Sequence, residues 1–164
     1  MDTIEFKPIG IIHTPFTKDS EIPRQAVSAP EISGTIEIKE EYVDGLLDLK
    51  KFSHIVVVFH LHLVTFTELI SCPPWDDKHG IFSTCSPYRP NPIGISVVKL
   101  NKIAGNKIHI SCIDMADGTP VLDIKPYIPD LYPQENIKVG WLNNKIALMN
   151  KGKSKILFEP LIDN

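Results

Sequence analysis

Three prolines within six residues, Pro87, Pro90 and Pro92, constrain the fold of this chain more than any other local feature. Each holds its own φ at about −65° and pushes the residue before it out of the helical region. Ser86, Arg89 and Asn91 are the residues so restricted, and their polar side chains leave a backbone with few accessible shapes. The flanks, residues 80–83 and 95–98, read as strands. A stiff, arginine-bearing loop between strands has the character of a preorganised binding element, because most of its ordering entropy is already removed. The competing reading is a rigid crossover whose arginine makes a local salt bridge, and rigidity alone does not separate the two.

With 164 residues the chain is read as one domain, able to bury a substantial core without disulfide or metal staples. A hydrophobic content of 43% and a charged content of 23% exclude a disordered chain. Fourteen prolines favour loops and short strands over long helices. No signal peptide and no membrane-length apolar run is expected; the longest apolar patch, residues 55–59, suits a buried strand. Cys72, Cys85 and Cys112 are odd in number and lack a CxxC spacing, which predicts reduced thiols in a cytoplasmic protein. The net charge of −3 argues against affinity built on broad cationic attraction to nucleic acid, while leaving room for a local basic patch.

In chain order, residues 4–13 predict an opening strand kinked at Pro8. Residues 14–31 carry no hydrophobic period and predict a long ordered loop of the kind that serves a site or an interface. Residues 34–39 alternate as a half-buried strand does. Residues 44–52 predict a short helix, with Asp44 near its start, Lys50 and Lys51 near its end, and Leu46, Leu49 and Phe52 close to one face. Residues 54–64 form the strongest strand candidate, on which His60 and His62 would share a face. That spacing suits a metal pair, but no third ligand accompanies it, so histidines lining a pocket or bonded in the interior are preferred and no metal is expected. Residues 94–100 and 107–113 predict a hairpin turning at Gly105. Asp117-Gly118 is a turn signal, followed by a short strand at 121–125 that sets Val121, Asp123 and Lys125 on one face. The acid and base there are either a functional pair or an exposed ion pair worth ~0–1 kcal/mol. A final strand is expected at 155–158. Roughly eight short strands and one or two short helices indicate a mainly β chain, most simply a single-domain β-barrel.

Glycine-rich dinucleotide, P-loop and GxSxG signatures are absent, which makes a Rossmann-type site improbable. The run PRQ at 23–25, SPYRPNPIGIS at 86–96 and DGTPVLDIKPYIP at 117–129, with PIGIIHTPF at 8–16, resembles the TsaA-like family, whose best known members are TrmO-type tRNA methyltransferases. The resemblance covers a core of about 5–130, leaving 131–164 as a C-terminal extension. It implies a non-Rossmann barrel that binds S-adenosyl-L-methionine, a homodimer, and a tRNA partner methylated at N6 of threonylcarbamoyladenosine 37. By the same resemblance, cofactor contacts come from Pro23, Arg24 and Gln25, from Leu61 and His62, and from Cys85, Arg89, Asn91 and Ile95 around the proline loop. The turn Asp117, Gly118, Thr119 and Pro120 completes that set, with Asp123, Lys125 and Tyr127 as substrate contacts. Relatives commonly carry arginine where this chain has Cys85, so five donors are exchanged for one weak one. Asp117 or Asp123 would meet ribose hydroxyls or accept a proton, and Arg24 or Lys125 would meet a carboxylate. Alternatives are methyl transfer to a small molecule, or a cofactor-binding domain without catalysis. No catalytic base is assignable from sequence.

Overall fold

The structure is a computed structural model and describes residues 3–17, 22–23, 30–73, 76–131, 135–143, 145–146 and 153–154. Its strands in chain order are β1 (Gly10–His13), β2 (Ile22–Pro23), β3 (Ser33–Ile38), β4 (His54–His60), β5 (Ile70–Ser71), β6 (His79–Gly80), β7 (Ile93–Ala104), β8 (Lys107–Ser111), β9 (Thr119–Pro126) and β10 (Lys153–Ser154). Six of them close into an antiparallel barrel in the order β1-β3-β8-β7-β4-β9, and two short ribbons, β2 with β10 and β5 with β6, stand beside it. Closure leaves no open barrel edge. The mainly β barrel expected from the short, β-branched runs is therefore the fold observed.

Inward positions are mostly apolar and alternate where the ladder is regular. Ile55, Val57 and Phe59 of β4, Val98 and Leu100 of β7, and Ile108 and Ile110 of β8 meet Ile12, Ile36, Ile38 and Val121 in one buried cluster. Gly94 faces this interior opposite Phe59. Two connections join strands that are not neighbours, so each crosses an end of the barrel. Residues between β3 and β4 close one end, where Leu46 and Leu49 pack against the core. Residues 112–118, between β8 and β9, cross the other.

Several local expectations change. The first strand begins only at Gly10, and residues 3–9 form no regular element. The segment read as an α-helix at 44–52 is two 3₁₀ stretches, Glu40–Leu46 and Leu49–Lys51, split by Asp48 at φ 66°. Gly45 weakens helical preference within the first, and no side chain caps either. Residues 81–83 are 3₁₀ rather than strand, because Ser83 Oγ and Thr84 Oγ1 donate back to the carbonyls of Gly80 and Ile81, where a ladder would otherwise form. The β7–β8 hairpin turns tightly at Gly105-Asn106, with β7 running to Ala104. A bulge opposite Val58 and Phe59 breaks the period of β9. Val121 therefore points into the core, whereas Asp123 and Lys125 sit on the outer wall, not on one face with it. The strand expected at 155–158 lies outside the described residues. No helix among them is long and apolar enough to cross a membrane.

Candidate functional site

The barrel end crossed by residues 112–118 holds a partly open cleft. β4 ends there because its chain turns tightly: His62 N donates to the His60 carbonyl at 2.8 Å, and Leu61 N donates to Pro92 at 2.8 Å. This turn separates the two histidines expected to share a face. His60 stays on the outer wall, and His62 swings over the barrel mouth. Among the described residues no group of three metal-ligating side chains is present.

Phe59, Leu61, Leu63, Val64 and Met115 make the apolar walls of the cleft, joined by Ile22 and Pro87. Its polar groups are His62, Asp114 and Thr119. Each is held by a neighbour. Ser96 Oγ donates to Asp114 Oδ1 at 2.7 Å, and Thr119 Oγ1 donates to the Ala116 carbonyl at 2.8 Å while lying 3.4 Å from His62 Nδ1. The Asp117-Gly118 turn is tied to the end of β1: Asp117 N donates to the Phe16 carbonyl, Gly118 N to the Ile12 carbonyl, and Thr14 N to Asp117 Oδ1 at 3.0 Å. Gly118 has φ 75°, a conformation that side-chain-bearing residues rarely adopt, and a β-carbon there would approach His62.

The proline loop is braced from within. Arg89 donates from one guanidinium nitrogen to the carbonyls of Thr84 at 2.8 Å and Ile81 at 3.2 Å, and lies 6.0 Å above the Phe82 ring. Tyr88 stacks on Phe66 with ring centroids 4.2 Å apart, and burial followed by the charge of Glu68 raises its phenol above the ordinary range. Of the two readings of this loop, the arginine geometry matches the structural one, with backbone carbonyls in place of a salt bridge.

Of the sequence-expected residues, Leu61, His62 and Thr119 line the cleft, with Asp117, Gly118 and Pro120 adjoining it. Pro23 is buried beside Ile22 in β2, while Arg24 and Gln25 lie outside the described residues. Cys85 and Asn91 are exposed, and Ile95 points outward from β7. Asp123 and Lys125 form an ion pair on the outer wall, and Tyr127 N donates to the His54 carbonyl at the opposite end of the barrel. Sequence reasoning did not select Asp114, Met115 or Leu63. The one available signal was a lone aspartate between two apolar residues, Ile113 and Met115, directly after a strand.

A barrel of this order with a largely apolar cleft at its crossed mouth defines a class apart from Rossmann folds. A family model described as the tRNA-methyltransferase O N-terminal domain matches residues 11–131, and the chain belongs to that family. It is 45% identical over 149 residues to a probable S-adenosyl-L-methionine-binding protein of Pyrococcus abyssi, covering 90% of this chain and 81% of that one. A tRNA (adenine(37)-N6)-methyltransferase of Mus musculus is 36% identical over 81% of this chain, which spans only 33% of the mouse protein. The crystal structure of TrmO from Pseudomonas aeruginosa superposes with a TM-score of 0.72 at 36% identity, covering 85% of this chain and 62% of that one.

Proposed function

We propose that this chain is an S-adenosyl-L-methionine-dependent methyltransferase that binds its cofactor in the cleft at the barrel mouth. The observation that carries the reading is the cleft itself, in a chain of this family: apolar walls with one carboxylate, one imidazole and one hydroxyl at fixed places. The donor set fits the group. Phe59, Leu61 and Met115 offer apolar contact to an adenine and to the carbons around a sulfonium, and Asp114 offers a negative charge to a cation or an acceptor to hydroxyls.

The sulfonium supplies an already activated methyl group, so the protein has no electrophile to generate. The residues must orient the acceptor, exclude water and take up one proton. Leu61, Leu63 and Val64 exclude water from one side of the cleft, and the 112–118 crossover closes the other. Asp114, oriented by Ser96, and His62, beside Thr119, are the two groups placed to accept the proton leaving an acceptor nitrogen. The acceptor we propose is an adenine N6 in tRNA, specifically threonylcarbamoyladenosine at position 37, in a cytoplasmic homodimer. The names of the mammalian relatives support the adenine. Methyl transfer to a small molecule is the second reading, favoured by the net charge of −3.

Calorimetry with S-adenosyl-L-methionine should show saturable binding that Asp114→Asn and His62→Ala weaken by at least tenfold. Incubation with bulk tRNA should then yield methylated nucleosides by mass spectrometry. No heat at millimolar cofactor would sink the cofactor site; binding without methylated tRNA would return the chain to the small-molecule or non-catalytic reading.

A further inference from the structure

The sequence between Asp77 and Asp114 contains no acidic residue, yet it carries Lys78, Arg89, Lys99, Lys102 and Lys107. Arg89 is committed to backbone carbonyls. The last three lysines fall on the β7–β8 hairpin, all exposed, and none makes an ion pair with the described residues. In a chain whose net charge is −3, this wall is a local positive exception.

Strand register places those charges together. Lys102 pairs with His109, His109 with Thr35, and Thr35 with His13, so four residues form one row across the outer faces of β7, β8, β3 and β1. A second row runs from Lys99 through Ser111 to Ser33. A bulge between Leu100 and Lys102 turns both Asn101 and Lys102 outward, where strict alternation would have buried one of them. Between the rows lies a groove of about 360 Å³, lined by Ser33, Thr35, Asn101, Lys102 and His109. Two acids flank this wall: Glu37 is in register with Lys107 and lies 3.3 Å from His13 Nε2, and Asp117 lies 3.9 Å from His13 Nδ1.

We infer that this groove and its lysines form a docking track for the sugar–phosphate backbone of an RNA strand, an inference that rests on the proposed tRNA acceptor. Its chemistry is that of backbone contact: ammonium, imidazole, amide and hydroxyl groups, the kind that position a nucleic acid without reading bases. No phenylalanine, tyrosine or tryptophan lines the groove, so His109 is its single ring available to a base. Lys107 and His109, two apart on one strand, stand about 6.6 Å from one another along the wall, each within reach of a different phosphate of an extended strand. The track also leads to the chemistry. β8 runs directly into the crossover that carries Asp114, Met115 and Ala116 to the cleft.

The test is tRNA binding by the full chain between 50 and 200 mM salt, followed by fluorescence anisotropy with labelled bulk tRNA. The variant Lys99→Gln/Lys102→Gln/Lys107→Gln should bind at least tenfold more weakly, and its log–log salt slope should be shallower by about 2–3, since each lost phosphate contact removes roughly 0.7–0.9. Its S-adenosyl-L-methionine binding should be unchanged, which also shows that it folds. A control, Lys39→Gln/Lys50→Gln, removes exposed charge elsewhere and should leave the slope within measurement error; Lys102→Arg should retain binding. A triple variant with wild-type slope and affinity, an equal loss in the control, or wild-type protein without salt-dependent tRNA binding would each overturn the track. Wild-type protein that binds tRNA through these lysines but takes no cofactor would instead overturn the proposed activity and leave the track standing.

Discussion

A β-carbon at Gly94 would overlap the Phe59 ring, which crosses the barrel interior there. Gly94→Ala should therefore destabilise the fold by ~1–3 kcal/mol in urea melts, and Phe59→Leu introduced with it should recover part of that loss. Arg89 makes a different demand. Its guanidinium holds the carbonyls of residues 81 and 84, so charge alone does not replace it. Arg89→Lys should cost about 1.5–3 kcal/mol, with the 81–92 loop becoming more open to proteolysis than the barrel strands. If stability is unchanged while cofactor affinity collapses, Arg89 is a ligand contact and not a brace.

At the scale of elements, the segment after the barrel is fastened to the β5–β6 excursion by a small polar cluster. Trp141 stacks on His79 with ring centroids 4.0 Å apart and donates its indole N–H to the Ser83 carbonyl at 2.8 Å. Lys145 Nζ lies 2.6 Å from Asp76 Oδ2. The hydrogen bond from Lys145, then that from Asp77 N–H, holds the Asp76 carboxyl below its ordinary range, against a smaller opposing effect of burial. A carboxyl whose folded pKa is depressed contributes stability above its unfolded pKa and loses it as pH falls through the folded one. Acidification should thus release Trp141 at a pH below the ordinary aspartate value. In a Trp75→Phe background this should appear as a shift in Trp141 emission that is absent in Asp76→Asn. An emission transition at the same pH in both proteins would show that Asp76 does not fasten the segment.

At the scale of the whole molecule, the barrel buries its interior and leaves an apolar strip along the outside of β7. Ile93, Ile95 and Val97 alternate along the outer face of β7, with Ile95 at 68% exposure and in register with Val58 of β4. A strip of this kind suits a second copy of the chain. Ile95→Glu should turn a dimer into a monomer by light scattering at micromolar concentration without lowering the melting temperature of the barrel interior. A wild-type monomer under the same conditions would show that the strip does not pair two copies.

Strand-forming runs, the turn at Gly105 and the stiffness of the 87–92 loop were readable from residue order, because each rests on local φ preference or on period-two alternation. So was membership of the family, carried by long proline-rich motifs. Other features required the third dimension. Bulges in β7 and β9 shift which side chains face out, and nothing in the alternation of residues 119–126 announces the one that separates Val121 from Asp123. Arg89 could not be assigned from its neighbours, since the carbonyls it meets are presented by a 3₁₀ turn that the apolar run 81–82 disguised as a strand. Asp114 became part of the cleft only because β8 and β9 are not neighbours in the closed sheet. Local chemistry determined which segments are strands and which are turns. Barrel closure alone decided that the link between two of them must cross the mouth, and so carry a carboxylate to the cleft.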